Sequence, residues 1–202
     1  MSTPHGGARP SSSPASEQRR QRIADATLAL LRERDAAKIT VADIAETADV
    51  SVATVYNLVG PRERVLSAVL DGYVGRLDAA LGARPMHNDP VEAVVDVVRV
   101  AVTQSLHDPV PLRAVLRELG PLDFAEHRGS GLEQLLLPRL RNVVSLDDDS
   151  AARTVAQLIV YGFRGVLLSW AHLLISDRAF RRDAELITRS LVPDDREIEE
   201  TL

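Results

Sequence analysis

The stretch from Thr40 to Leu58, TVADIAETADVSVATVYNL, constrains this chain more than any other. Val41, Ile44, Ala45 and Ala48 recur at i, i+3, i+4 and i+7, which predicts a short helix with one buried stripe and Asp43, Glu46 and Thr47 on its other side. Asp49 and Val50 interrupt that pattern. Ser51 then restarts a helix in which Val55, Leu58 and Val59 share one face while Val52, Ala53, Tyr56 and Asn57 share the opposite one. Thr40, with Asp43 three residues on, and Ser51 each stand where a helix needs a side-chain oxygen for its unpaired first amides.

Two short helices meeting at a tight turn are the outline of a helix-turn-helix, whose second helix lies in the major groove of DNA with its first side chains at base edges. A solvated helix face carries charge, yet positions 52, 53, 56 and 57 are Val, Ala, Tyr and Asn. Small apolar groups fit thymine methyls, Asn pairs with adenine, and a Tyr hydroxyl holds a phosphate. The alternative is that these residues pack in a core, which requires both faces of a very short helix to be covered.

The segment VSVATVYNLVGPRERVLSAVL, Val50 to Leu70, resembles the end of the DNA-binding domain of the TetR family of transcriptional regulators. Thr54, Tyr56, Arg62 and Glu63 stand at the positions of that pattern, and TVADIA, Thr40 to Ala45, matches the start of its first helix-turn-helix element. The resemblance covers roughly residues 17 to 73. Val59 replaces an aromatic residue and Arg62 a lysine, both keeping the physical role. The resemblance implies DNA contacts from Thr40, Ser51, Val52, Ala53, Thr54, Tyr56, Asn57 and Arg62, the last as a phosphate clamp. It also implies an all-α fold of about nine helices: a three-helix DNA-binding domain followed by a helical domain for ligand binding and dimerisation.

Composition narrows the remaining classes. With no cysteine among 202 residues, disulfides, thiolate metal sites and thiol nucleophiles are excluded. Hydrophobic residues make up 45% of the chain but aromatic ones only 3%, which suits aliphatic helix packing. The longest apolar run, Leu158 to Ile175, is broken by Arg164 and His172, and the N-terminus lacks the apolar core of a secretory signal, so a cytoplasmic protein without a membrane partner is expected. Residues 1 to 64 hold nine basic against eight acidic side chains, and the remainder fifteen against twenty-one, within a net charge of −5. Phosphate contact is local, so Arg19, Arg20, Arg22, Arg62 and Arg64 suffice as a positive rim; ordinary surface arginines are the competing account.

In chain order, residues 1–16 read as a disordered tail, with Arg9 the one side chain there able to brush DNA. The DNA-binding domain occupies 17–60, opening with a helix that carries Ile23, Ala26, Thr27, Leu30 and Leu31. A connector helix follows over 61–83, with Pro61 in its first turn and Val65, Leu66, Val69, Tyr73 and Leu77 on one face. By the resemblance, it transmits movement from the C-terminal domain to the reading helix. That domain spans 84–194, and 195–202 form a tail. Asp89-Pro90 and Asp108-Pro109 open two of its helices. The first bears a polar stripe, Glu92, Asp96, Arg99 and Thr103. Leu122 to Gly131 reads as an irregular link, and Leu132 starts a helix to about Val144 with Pro138 inside it. Asp147, Asp148 and Asp149 precede a long helix to about Ile175; acids at a helix start are explained by capping and dipole, so no metal is expected.

The long helix has two apolar faces, one with small residues. Leu158, Gly162, Gly165 and Ser169, together with Ile187 and Leu191 on a final helix Asp177 to Leu191 that also carries Phe180 and Ala184, are the candidate homodimer interface. The intramolecular alternative is that both faces are core. The resemblance favours pairing through the last two helices, and a twofold dimer would face a palindromic operator. Gln104, Tyr161, Arg164 and Trp170 are candidate contacts for a small, largely apolar effector, against the plain alternative that the aromatic ones are core. A ligand preferring a spacing of the reading helices unlike the one DNA selects lowers DNA affinity, so the expectation is a ligand-released repressor that needs no cofactor. A ligand-independent regulator is the second reading. The only cluster suggesting an enzyme is His107, Asp108, Glu118, Asp123 and His127, which has no metalloprotease spacing.

Overall fold

The protein is described by a computed structural model that places residues 13–85, 87–119, 131–143 and 148–193. The described residues form nine α-helices and no strand: α1 Pro14–Glu33, α2 Val41–Thr47, α3 Val52–Leu58, α4 Arg62–Gly82, α5 Pro90–His107, α6 Pro109–Glu118, α7 Gly131–Leu140, α8 Asp149–Ala171 and α9 Asp177–Leu191. A 3₁₀ turn, Ala36–Lys38, joins α1 to α2.

Helix starts follow local chemistry. Thr40 and Asp43 form a reciprocal capping box at α2, and the Ser51 hydroxyl accepts from the Thr54 amide at 3.1 Å to start α3. Asp89 accepts from the Val91 and Glu92 amides at 2.9 and 3.1 Å, with Pro90 in the first turn of α5. Asp148 does the same for α8 through the Ala151 amide at 2.6 Å. α1 begins at Pro14, earlier than the expected Glu17, because Ser13 caps the Ser16 amide and Pro14 is pre-set for a first turn, so residues 14–16 are helix and not tail. α8 stops at Ala171, short of the expected Ile175. Leu173 there adopts a left-handed φ of 60°, and the Leu174 amide turns back to the Ser169 carbonyl at 2.9 Å. Most of the expected link, Asp147, and the tails before 13 and beyond 193 lie outside the described residues.

α1, α2 and α3 pack on one another through Ile23, Leu30, Ile44, Ala45 and the fully buried Val55, and α4 and α6 close the far side of α1. Each of the Ile, Leu and Val side chains among these contributes about 1.5–3 kcal/mol on leaving water. The buried apolar residues continue without a break from this domain through Val65, Leu66 and Val69 of α4 into a second layer formed by α5, α7, α8 and α9. Two members of the polar stripe of α5, Glu92 and Arg99, form a charged seam with α9. Arg99 bridges Glu92 and Glu185 of α9 at 2.9 and 2.6 Å, and Arg189 returns to Glu92 at 2.6 Å. α8 is long and apolar enough to cross a membrane by length and composition alone, but its Ala152, Ala156, Ile159, Phe163 and Trp170 are buried against the other helices.

Candidate functional site

The two faces of α3 separate as its sequence demands. Val55 is fully buried and Leu58 and Val59 are partly covered, whereas Val52 and Tyr56 are 42% and 52% exposed and Ala53 and Asn57 are exposed beside them. Packing in a core therefore does not account for this face. The helix is set by its ends. The Ser51 and Thr54 hydroxyls lie 2.8 Å apart at its start, and the Arg20 Nε of α1 donates to the Leu58 carbonyl at its last turn, 3.2 Å away. Asp49, with φ 51°, makes the tight turn from α2. Thr40 is exposed, its hydroxyl engaged with Asp43, and that bond, with a second from the Thr40 amide, holds the Asp43 carboxyl below its usual range.

Arg62 does not occupy the place expected of a phosphate clamp. Its guanidinium turns inward, donating to the Ile39 carbonyl at 2.8 Å and to the Ala36 carbonyl, and it pairs with Glu118 of α6 at 2.8 Å. It ties the turn before α2, the start of α4 and the end of α6 together. The other expected rim members divide. Arg20 is committed to Leu58 and Glu17, Arg22 stays half exposed with Asp49 at 4.0 Å, and Arg19 is exposed.

Above this base lies a cavity of about 440 Å³ walled by α4, α5, α6, α7 and α8. Leu70, Val74, Leu77, Leu112, Leu116, Leu132, Val160, Phe163 and Leu167 make it apolar, and Asp71, Gln104, Ser105 and Arg164 give it a few polar groups. Two of the four expected pocket residues, Gln104 and Arg164, are in this lining. Tyr161 and Trp170 are not. Tyr161 faces outward, 56% exposed, because it falls on the opposite side of α8 from Val160 and Phe163. Trp170 is fully buried, stacked on Phe180 at 4.9 Å, with Arg113 at 4.2 Å over its ring and its Nε1 donating to Asp177 at 2.7 Å. Burial and a satisfied N–H make it a core residue.

Tyr73 is the lining residue that sequence reasoning passed over as plain core. Its hydroxyl donates to the Asp108 carbonyl at 3.0 Å, and burial first, then the nearby Asp108 charge, pushes its pKa up to about 12. The Asp108 carboxylate is held by Arg32 of α1, whose Nε lies 3.2 Å away, and this bond raises the arginine's pKa. α6 is thus pinned at both ends, by Asp108 to Arg32 of α1 and by Glu118 to Arg62 of α4, while Leu112 and Leu116 between them face the cavity. These pairings also take Asp108 and Glu118 out of the imagined acid-base cluster. His107 is exposed, and Asp123 and His127 lie outside the described residues.

The candidate interface residues divide as well. Leu158 is 45% exposed and Gly165 has open space above it. Gly162, by contrast, faces Ile187 of the same protomer, whose Cγ2 would lie 2.5 Å from an added Cβ. Its small size serves α8–α9 packing within one chain. Ser169 and Leu191 are half-buried. Among the apolar groups left outside are Leu158 and Tyr161 on α8, Leu173 and Leu174 in the turn after it, and Leu186 on α9 at 59% exposure. Leu186 could have been found in the sequence, since it falls off the stripe of Phe180, Ala184 and Thr188.

Comparison with known proteins agrees with this geometry. Residues 23–58 match the family model of bacterial regulatory proteins, tetR family. Over 106 residues the chain is 31% identical to the HTH-type transcriptional repressor KstR of Rhodococcus jostii (strain RHA1), covering 52% of this chain and 50% of that protein. The chain spans about half the length of the curated relatives it matches. The fold is similar to that of a TetR transcriptional regulator from Rhodococcus sp. RHA1, with a TM-score of 0.69 at 19% identity over 91% of this chain and 98% of that one. It is also similar to Thermus thermophilus FadR, a TetR family transcriptional repressor in complex with lauroyl-CoA, with a TM-score of 0.64 at 24% identity over 85% and 92%. Residues 23–58 thus carry the sequence pattern of the tetR family of bacterial regulatory proteins, within an all-α fold similar to that of TetR transcriptional regulators.

Proposed function

We propose that this protein is a homodimeric repressor, acting in the cytoplasm, that leaves a palindromic operator when a small, largely apolar molecule enters the cavity. The observation that carries the reading is a shared wall. α4 and α6 line the cavity through Leu70, Tyr73, Leu112 and Leu116, and the same two helices are joined at the base of the DNA-binding domain by Arg62 and Glu118. A ligand that moves α6 relative to α4 therefore acts on the support of α3. Linkage requires only that ligand and DNA prefer different positions of that support, and couplings of this kind amount to about 1–3 kcal/mol, or roughly 5- to 150-fold in affinity. The cavity's size and apolar lining suit a small hydrophobic guest oriented by Gln104 and Arg164. Among fold neighbours, the Thermus thermophilus FadR carries lauroyl-CoA.

Pairing is supported by the exposed Leu158, Tyr161 and Leu186, with Gly165 leaving room for a close helix approach. Two copies related by a twofold axis would present two α3 helices to successive major grooves. The test is a mobility-shift experiment with the full chain on DNA from upstream of its own gene, challenged with a panel of apolar and amphipathic small molecules. A specific shift reversed by one of them is expected. A shift that no compound reverses would support a regulator without an effector, and no specific shift on any genomic fragment would falsify the proposal.

A further inference from the structure

The exposed face of α3 is unusual in what it lacks. No Lys, Arg, Asp or Glu occurs between Val50 and Val59, and the outward residues are Val52, Ala53, Tyr56 and Asn57. In the major groove guanine is read mainly by Arg or Lys on its O6 and N7, and cytosine by Asp or Glu on its amino group. α3 presents neither kind of group. The Ser51 and Thr54 hydroxyls are occupied with each other at the cap, 2.8 Å apart, and Arg62, the first cation after the helix, is turned into the fold toward Ile39, Ala36 and Glu118. What remains is an apolar edge of Val52 and Ala53 beside one carboxamide. Its chemical complement in the groove is a thymine methyl next to an adenine.

Resting on the DNA-binding reading above, we propose that this protein selects its operator through thymine C5-methyl groups packed against Val52 and Ala53, with Asn57 on an adjacent adenine. The half-site contacted by α3 is therefore A·T base pairs at the positions that carry specificity. Guanine contributes little there, because no long cationic side chain of α3 reaches its acceptors. Val52 is the specificity-determining residue for the methyl contact, and Tyr56, beyond it on the same face, holds the backbone.

The experiment starts from duplexes enriched by the full-length protein out of a random-sequence library. In the enriched half-site each thymine is replaced in turn by deoxyuridine, which removes only the C5-methyl, and each guanine by 7-deazaguanine, which removes only the N7 acceptor. Fluorescence anisotropy then reads affinity. At one or two thymines per half-site, deoxyuridine is expected to weaken binding about fourfold, the factor that corresponds to uncovering one methyl-sized group, while 7-deazaguanine changes it less than twofold. Val52→Ala, an exposed truncation whose folding is checked by its thermal melt, should make thymine and uracil equivalent at one position. Loss of binding with 7-deazaguanine and indifference to deoxyuridine would overturn the inference while leaving DNA recognition intact. Failure to enrich any sequence would remove DNA recognition itself.

Discussion

Arg62 and Glu118 meet at 2.8 Å, joining the first residue of α4 to the last residue of α6. Both side chains are mostly buried, and the arginine also serves the carbonyls of Ile39 and Ala36. Removing the cation leaves three acceptors short of a donor, whereas neutralising the acid leaves a hydrogen bond possible. Arg62→Met is therefore expected to destabilise the protein by about 3 kcal/mol and Glu118→Gln by about 1 kcal/mol, measured by urea unfolding. Equal costs for the two would mean that the backbone contacts of Arg62 contribute nothing.

Tyr73 gives a pH signature. Its folded pKa of about 12 lies above the ordinary value of 10.0, so the protonated ring is favoured by folding. Stability from this group is complete below pH 10 and declines as pH rises towards 12, since the unfolded chain releases the proton first. Ultraviolet titration should show one of the three tyrosines ionising late. Tyr73→Phe should abolish that step and cost about 1 kcal/mol through the lost bond to Asp108.

The four-charge seam between α5 and α9 acts at the other end of the scale. Arg189 lowers the pKa of Glu92 and Arg99 lowers that of Glu185, both from 4.5, so their contribution is present above that value and lost as pH falls below it. Melting temperatures of wild type and Glu185→Gln are expected to differ at pH 6 and converge near pH 3. A gap that persists at pH 3 would show that the carboxylate's charge is not what holds the seam.

Leu186 tests the pairing surface without touching the core. It is well exposed, so Leu186→Glu should leave the protomer's melt nearly unchanged while light scattering shows monomers. Operator affinity should then fall by about 100-fold or more, because the second half-site is no longer tethered to the first. A dimer that survives this change would place the interface elsewhere.

Gly162→Ala separates the two faces of α8. The added Cβ meets Ile187 of the same chain, so a stability loss of about 1–3 kcal/mol is expected with no effect on oligomeric state. A monomer here would assign the glycine to the interface after all.

What could be read from the chain alone was whatever depends on neighbours a few residues away. The Thr40–Asp43 capping box, the Ser51 cap, Asp89-Pro90, the two faces of α3 and the final helix from Asp177 to Leu191 are all short-range consequences of side-chain chemistry and helical period. Tertiary structure decided which helix each remaining face would meet. Gln104 and Arg164 line the cavity, while Tyr161, on the other side of α8 from it, points to solvent and Trp170 settles on Phe180. Arg62, positioned to clamp a phosphate, instead finds carbonyls and a carboxylate brought to it by the turn before α2 and by α6. Periodicity specifies that a face is apolar or that a charge needs a partner, but the partner is chosen by packing between segments far apart in the chain, and that information is not local.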